Sequence, residues 1–222
     1  MRSADVAASA SVRGGVIRSV ATSIVALEPG RVVMVGIDGV DGAGKTVFAD
    51  ELADAVAGLG RPVVRASVDD FHHPRQVRWR RGRHNPEAFF EDTFDYATLC
   101  AVLLDPFAAN TEFCRAVFDH VAHRPIERRL ERAPADAVLV FDGIFVHRDE
   151  LVGYWDYSVF LEVGFDISVP RMARRDGRNP SLEANQRWVL GQLRYFDACA
   201  SRTRASVVID NSDFDDPRVL AH

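Results

Sequence analysis

The 222-residue chain is 47 % hydrophobic and 27 % charged, with a formal net charge of −5, a balance that suits one α/β domain with a full core. The acidic balance argues against a general nucleic-acid-binding surface, and no apolar run approaches the roughly 18 residues of a membrane span. Cys100, Cys114 and Cys199 are widely spaced with no C-x-x-C pair, which argues against a disulfide frame or a cysteine metal site and fits reducing cytoplasm.

Residues 1–10 read as frayed, and Met1–Ser11 carries neither a sustained apolar core nor a cleavage site, so no signal peptide is expected. Val16, Ile17, Val20, Ile24 and Leu27 recur at helical spacing, predicting an amphipathic helix over 12–27 that ends at Glu28-Pro29-Gly30. Residues 1–30 are thus read as an N-terminal extension and 31–222 as the main domain. A buried strand is expected over 32–37, then a glycine loop, then a helix closed by Gly60. The second strand, 62–68, ends in Asp69-Asp70. An arginine-rich stretch from Phe71 to His84 has no clean period, and a helical pattern returns from Pro86 through Leu104. The segment 112–121 reads as strand-like and leads to a turn at Arg124-Pro125. Further strands are expected at 137–141, 157–163 and 205–210, and helices at 167–175 and 180–200. Apolar strands alternating with helices imply a mostly parallel sheet covered on both faces, with ligands at the strands' carboxyl ends.

Gly39-Val40-Asp41-Gly42-Ala43-Gly44-Lys45-Thr46 is a complete G-x-x-x-x-G-K-[ST] phosphate-binding loop, set between a strand and a helix as that motif requires. Glycines let backbone N–H groups turn inward around phosphate oxygens, and the helix N-terminus adds positive potential. Gly39, Asp41, Gly42, Ala43, Gly44, Lys45 and Thr46 are therefore expected to bind a nucleoside triphosphate, ATP or GTP. Lys45 would reach the β- and γ-phosphates and the Thr46 hydroxyl would ligate Mg²⁺. The fold expected is a P-loop NTPase, a three-layer α/β/α sandwich with a flap insertion and a lid.

Two further strands end in acids at the same edge. Asp142, followed by Gly143, reads either as a carboxylate that holds Mg²⁺, directly or through water, or as a turn-forming Asp-Gly. Asp69 is the better placed of its pair to orient a hydroxyl acceptor and accept its proton, whereas Asp70 suits a cap. His72, His73, His84 and His123 form no recognisable metal spacing. Trp155 and Trp188 are expected in the core.

With these residues in place, the chain from about Val32 onward resembles the uridine kinase/phosphoribulokinase-like group of P-loop kinases. The resemblance rests on the phosphate loop, Val68-Asp69-Asp70-Phe71-His72, Phe118-Asp119-His120-Val121-Ala122-His123 and Phe141-Asp142-Gly143-Ile144-Phe145. It implies γ-phosphoryl transfer to a small-molecule hydroxyl, uridine or cytidine first, with Asp69 as base. It also implies acceptor contacts from Phe71, Phe118 and His123, and a lid whose Arg171 and Arg175 cover the triphosphate. Arginines there suit the charge that spreads over the transferred group. The chain departs from the family where Arg83-His84 stand in place of a Phe-Asp pair before Asn85-Pro86-Glu87-Ala88-Phe89, and where Phe118 replaces a tyrosine. With Arg75, Arg78, Arg80 and Arg81 also in the flap, an anionic acceptor of phosphosugar or pantothenate type is the alternative to a nucleoside. A non-catalytic nucleotide-binding switch is the other reading, although the N-K-x-D sequence of such GTPases is missing. No nucleic acid or membrane partner is expected, and a homo-oligomer is left open.

Overall fold

The computed structural model describes residues 11–221; the expectation of a frayed start lies outside them. Helix α1, Val12–Val25, begins where the Ser11 side chain accepts from the Gly14 N–H, and it buries Ile17, Val20, Ala21 and Ile24. That spacing is one face of a 3.6-residue repeat. Strand β1, Val33–Gly39, is buried at every position and runs through the glycine loop into α2, Lys45–Gly58. After β2, Val63–Ser67, a 3-10 turn covers Val68–Phe71. The flap contains α3, Arg75–Arg78, and α4, Pro86–Glu91. Helix α5, Tyr96–Leu99, widens into a π-helical Cys100–Leu104 before α6, Asp105–Ala108. Pro106 has no N–H to give the Val102 carbonyl, which accepts instead from the Cys114 N–H at 2.7 Å.

The two-residue strands β3, Phe118–Asp119, and β4, Arg124–Pro125, form a small hairpin. They are followed by β5, Val138–Asp142, and β6, Tyr157–Glu162. Then come α7, Phe165–Asp176, α8, Gln186–Cys199, and α9, Ser201–Arg204, and the chain closes with β7, Val207–Asp210, and β8, Arg218–Ala221. The main sheet has six strands in the order β2-β5-β1-β6-β7-β8, all parallel except β8, as the alternating strands and helices predict.

Side-chain alternation along the strands builds the layers. Val33, Val35, Ile37, Val138 and Val140 pack under α1 and α2, while Met34, Leu139 and Phe141 face α4, α5 and α8. Each fully buried side chain of this size is worth about 1.5–3 kcal/mol. Because β1, β2 and β5 are parallel and in register, with Asp142 level with Ile37 and Ser67, their carboxyl ends bring the glycine loop, Asp69 and Asp142 to one edge.

Several expected elements differ. The helix expected over 86–104 is broken after Glu91, because the Asp95 side chain accepts from the Thr98 N–H and starts a new helix. Of the strand expected over 112–121, Phe118–Asp119 pairs with Arg124–Pro125, which is a strand and not a turn, and Phe113 forms an isolated antiparallel bridge with Glu131. The last long helix begins at Gln186 rather than Pro180, since Ser181 and Asn179 spend their side chains on local turns. Strand β8 was not anticipated.

Helix α8 approaches α4 through Gly191, where an added Cβ would stand 2.6 Å from Phe89 Cδ1 and 2.8 Å from the Pro86 carbonyl oxygen. Gly191→Val is expected to cost about 1–3 kcal/mol through overpacking, measured by urea denaturation. An unchanged midpoint would mean that the two helices separate freely at this point.

Candidate active site

Gly42 and Gly44 have φ of +83° and +89°, where L side chains are strained. There is also no room for them: a Cβ on Gly42 would strike the Ser168 carbonyl, and one on Gly44 the Phe214 ring. Gly44 is also the N-cap of α2 and supplies no side-chain cap. The first N–H groups of α2 therefore remain available to an anion. Lys45 Nζ donates to the Val40 carbonyl at 2.9 Å, which lays the ammonium along the loop.

At the neighbouring strand end, the Thr46 hydroxyl donates to Asp142 Oδ2 at 2.8 Å. The other carboxylate oxygen of Asp142 accepts from Arg65 at 2.9 Å, and Asp142 is only 2 % exposed. Arg65, on β2, also donates to the Val140 carbonyl. This arginine escaped the sequence reading because nothing local distinguishes a charged residue in a strand. Thr46 and Asp142 offer the hard oxygens that Mg²⁺ accepts. Among the described residues no group of three or more His, Cys, Asp and Glu could hold a metal ion. The set thus fits a cation completed by phosphate oxygens and water, not a closed protein cage.

Asp69 stands in the 3-10 turn after β2, where Ser67 Oγ accepts its N–H. Its side chain keeps 51 % of its surface open to the cleft. The flanking protein still raises its pKa by desolvation, helped by the negative charge of Asp41 and opposed by His120, Lys45 and Arg175. Burial likewise pushes Asp70 up to about 6. His72 donates Nδ1–H to the Asp69 carbonyl at 2.8 Å, and burial pushes its pKa down to about 4, so it is neutral at pH 7. The His72 ring stacks on His120, with centroids 5.7 Å apart. Positive charge on His120 would lower the pKa of both Asp69 and Asp70, whereas the motif reading picks out His123.

One cavity of about 1240 Å³ takes in Asp41, Gly42, Gly44, Lys45, Thr46, Asp69 and Asp142. It also takes in Arg83, His84, His123, Arg171 and Arg175 from the flap, hairpin and lid. Gly39 and Ala43 are buried beneath the loop. Phe71, expected to touch the acceptor, is 0 % exposed and packs in the core, because the 3-10 turn that presents Asp69 directs the next apolar residue inward. Phe118 is 4 % exposed and does not line the cavity either. Trp188, expected in the core, is half-buried on the cavity wall, while Trp155 packs on the Phe141 ring.

The lid arginines on α7 diverge. Arg175 binds Asp176 at 2.7 Å and Asp41 of the phosphate loop at 3.3 Å. Arg171 donates to the Asn211 and Ser212 carbonyls at 3.1 and 2.5 Å and lies 4.1 Å from the Phe214 ring centroid. Phe214, packed on Gly44 with Arg13 5.9 Å from its centroid, makes a flat shelf beside the loop.

Behind the loop, Asp38 is 0 % exposed. Its Oδ1 accepts from the Gly39 N–H at 2.7 Å, and its Oδ2 accepts from the His147 N–H and from Nδ1–H at 3.2 and 2.7 Å. The Tyr195 hydroxyl donates to the same Oδ2. With its proton on Nδ1, His147 accepts from Ser158 Oγ through Nε2 at 2.9 Å. These residues come from β1, β6, α8 and a loop, and no sequence spacing links them.

The chain matches the Phosphoribulokinase / Uridine kinase family over residues 34–204. No curated protein matches it. Among solved structures it is similar to that of a possible uridine kinase from Bacillus stearothermophilus, with TM-score 0.70, 21 % identity and coverage of 86 % of this chain and 96 % of that one. A protein described as a fructose transport system kinase from Silicibacter gives TM-score 0.67 at 23 % identity, covering 82 % and 94 %. D-glycerate 3-kinase from Cryptococcus neoformans gives 0.59 at 12 % identity, covering 94 % and 99 %. At these identities the likeness is one of fold, whereas the family match spans the strand, loop and lid that build the site. The chain belongs to the phosphoribulokinase/uridine kinase family of P-loop kinases.

Proposed function

We propose that the protein transfers the γ-phosphoryl group of ATP or GTP to a hydroxyl of a small molecule. The observation that carries this reading is Asp69, a carboxylate with a raised pKa that shares one cavity with the phosphate loop, Lys45 and Arg175. A carboxylate there orients the acceptor hydroxyl and takes its proton as the oxygen attacks the γ-phosphorus and the bond to the β-phosphate oxygen breaks. Lys45 and Arg175 offset charge on the transferred group. Thr46 and Asp142 would hold Mg²⁺, which when bound neutralises charge on the phosphate oxygens. Phe214 and Arg171 suit a flat base at the loop end of the cavity. The free thiols Cys100, Cys114 and Cys199 fit a reducing compartment such as the cytoplasm. No helix among the described residues is long and apolar enough to cross a membrane.

For the acceptor, the four motifs favour a nucleoside, and the arginines around the cavity favour an anion. In a switch, by contrast, Asp69 would have no partner to act on.

Asp69→Asn is expected to lower kcat for transfer about 10²- to 10⁴-fold while leaving ATP affinity within a few-fold. Steady-state assays of ADP release over nucleosides, sugars and vitamins, paired with calorimetry, measure both. If no hydroxyl acceptor stimulates ADP release while ATP still binds, the kinase reading fails.

The pH dependence follows from the same residue. Asp69 must be ionised to act, so kcat/KM should fall as pH drops through its raised pKa, above the ordinary carboxylate value of about 4. The residual activity of Asp69→Asn should lack that limb. Asp142→Asn should raise the Mg²⁺ concentration for half-maximal rate by at least about tenfold, and an unaltered Mg²⁺ titration would remove Asp142 from the cation site.

A further inference from the structure

The family match begins at residue 34 and ends at residue 204, yet residues from both ends of the chain beyond it meet behind the phosphate loop. Asn211, which follows β7, is 0 % exposed, and its Nδ2 donates to the Ala43 carbonyl of the loop at 2.7 Å. A little further on, the Phe214 ring fills the space beside Gly44 and lines the cavity together with Lys45 and Arg171. From the other end of the chain comes Arg13, on α1. Its Nη1 donates to Asn211 Oδ1 at 3.2 Å and to the Phe214 carbonyl at 3.0 Å, and its Nε donates to Glu51 Oε2 at 2.7 Å.

Each of these partners bears on the loop. Glu51 belongs to α2, whose first turn starts at Lys45 and Thr46. The Asn211 amide has an acceptor at one end and donors at the other, so the bond from Arg13 to Oδ1 aims Nδ2 at the Ala43 carbonyl. Without Arg13 the buried Oδ1 would lose its donor and the amide its fixed direction. The lid leans on the same segment, since Arg171 donates to the Asn211 and Ser212 carbonyls. The Arg13 side chain is only 13 % exposed and lies 6.0 Å from the Phe48 ring centroid and 5.9 Å from that of Phe214. In such surroundings charge-assisted bonds are strong and their geometry is held. Arg13 itself does not line the cavity, so any effect on a bound nucleotide passes through the residues it holds.

We propose that Arg13 is a positioning residue for the nucleoside triphosphate. By fixing the Asn211 amide and the Phe214 main chain against α2, it sets the shape of the phosphate loop, and the N-terminal helix becomes a working part of the donor site. A planar guanidinium can serve these partners in different directions at once, which a single ammonium cannot. This rests on the reading of the loop as a triphosphate site and is independent of the acceptor.

The test measures ATP binding by calorimetry in the presence of Mg²⁺, together with thermal melts, for wild type, Arg13→Gln, Arg13→Lys, Asn211→Ala and the Arg13→Gln/Asn211→Ala double variant. Where an acceptor is turned over, KM for ATP and for the acceptor are measured as well. Arg13→Gln should weaken ATP by about tenfold, the equivalent of one lost charge-assisted bond, and leave the acceptor KM within about twofold. Arg13→Lys can still pair with Glu51, so its melting temperature should recover toward wild type while ATP stays weakened. That variant decides the matter even where Arg13→Gln folds poorly. The double variant should bind ATP no more than about twofold worse than the weaker single variant, because both changes break one chain of contacts. A merely structural role would lower the melting temperature and leave ATP affinity intact, and that result overturns the proposal. So do additive losses in the double variant, or an acceptor KM that rises as much as that for ATP. Failure of the wild type to bind ATP would overturn both this proposal and the kinase reading, whereas wild-type binding matched by the Arg13 variants overturns this proposal alone.

Discussion

A carboxylate closed off from water must have its oxygens occupied by donors, and Asp38 meets that demand by drawing four parts of the chain together. The Gly39 N–H anchors the start of the phosphate loop, the His147 backbone and ring bring in the segment after β5, and Tyr195 brings in α8. Through His147 the network reaches Ser158 on β6 and accepts Arg204 on its carbonyl. Helix α8 in turn supports the loop a second time, since Gln192 accepts the Asp41 N–H at 2.6 Å. The loop that would meet phosphate and the helix that carries Arg187 are therefore held to one another through this buried acid and through Gln192. Removing one partner would leave the others unsatisfied in the interior, so the arrangement is cooperative.

The cleft in front of this network separates its charges with care for an acidic protein. The net charge is −5, yet cations dominate the cavity, because most of its acids are tied up in ion pairs. At the loop end the open N–H groups, Lys45 and Arg175 gather positive potential, and the shelf of Phe214 and Arg171 lies beside it. At the flap end the arginines are set on aromatic rings. Asp69 stands between these regions with a raised pKa. In the proposed reaction a base in such surroundings would take the proton of an acceptor hydroxyl, and the cations on either side would offer donors to anions.

The sheet, its parallel direction and the phosphate loop were legible because each is written in local pattern: unbroken apolar strands, helical spacing, and glycines at fixed offsets before Lys45 and Thr46. Asp69 and Asp142 were legible for a related reason, as acids at the ends of apolar strands in an α/β order have few places to be except the ligand edge. Phe71 was misjudged because the same motif that exposes Asp69 turns its neighbour into the core. Trp188 packs against the core as expected but also lines the cavity, since an aromatic at helical spacing reads as core whether its outer edge meets protein or a cavity. Arg65 and Arg187 gave no signal, for an arginine in a strand or a helix looks the same whether it faces solvent, an acid or a cleft.

The amino-acid sequence alone determined the fold class, the nucleotide-binding loop and the family, because these depend on interactions between residues close in the chain and on periodicities of two and 3.6. The tertiary structure alone decided which charges are neutralised. Asp92 finds Arg80 and Arg81 within one segment, but Asp142 finds Arg65, Asp38 finds Tyr195, and Arg187 lies over the Phe89 ring with no acid paired to it among the described residues. Such pairings span the length of the chain, and only the packing of α8 against α4 and the sheet brings them about.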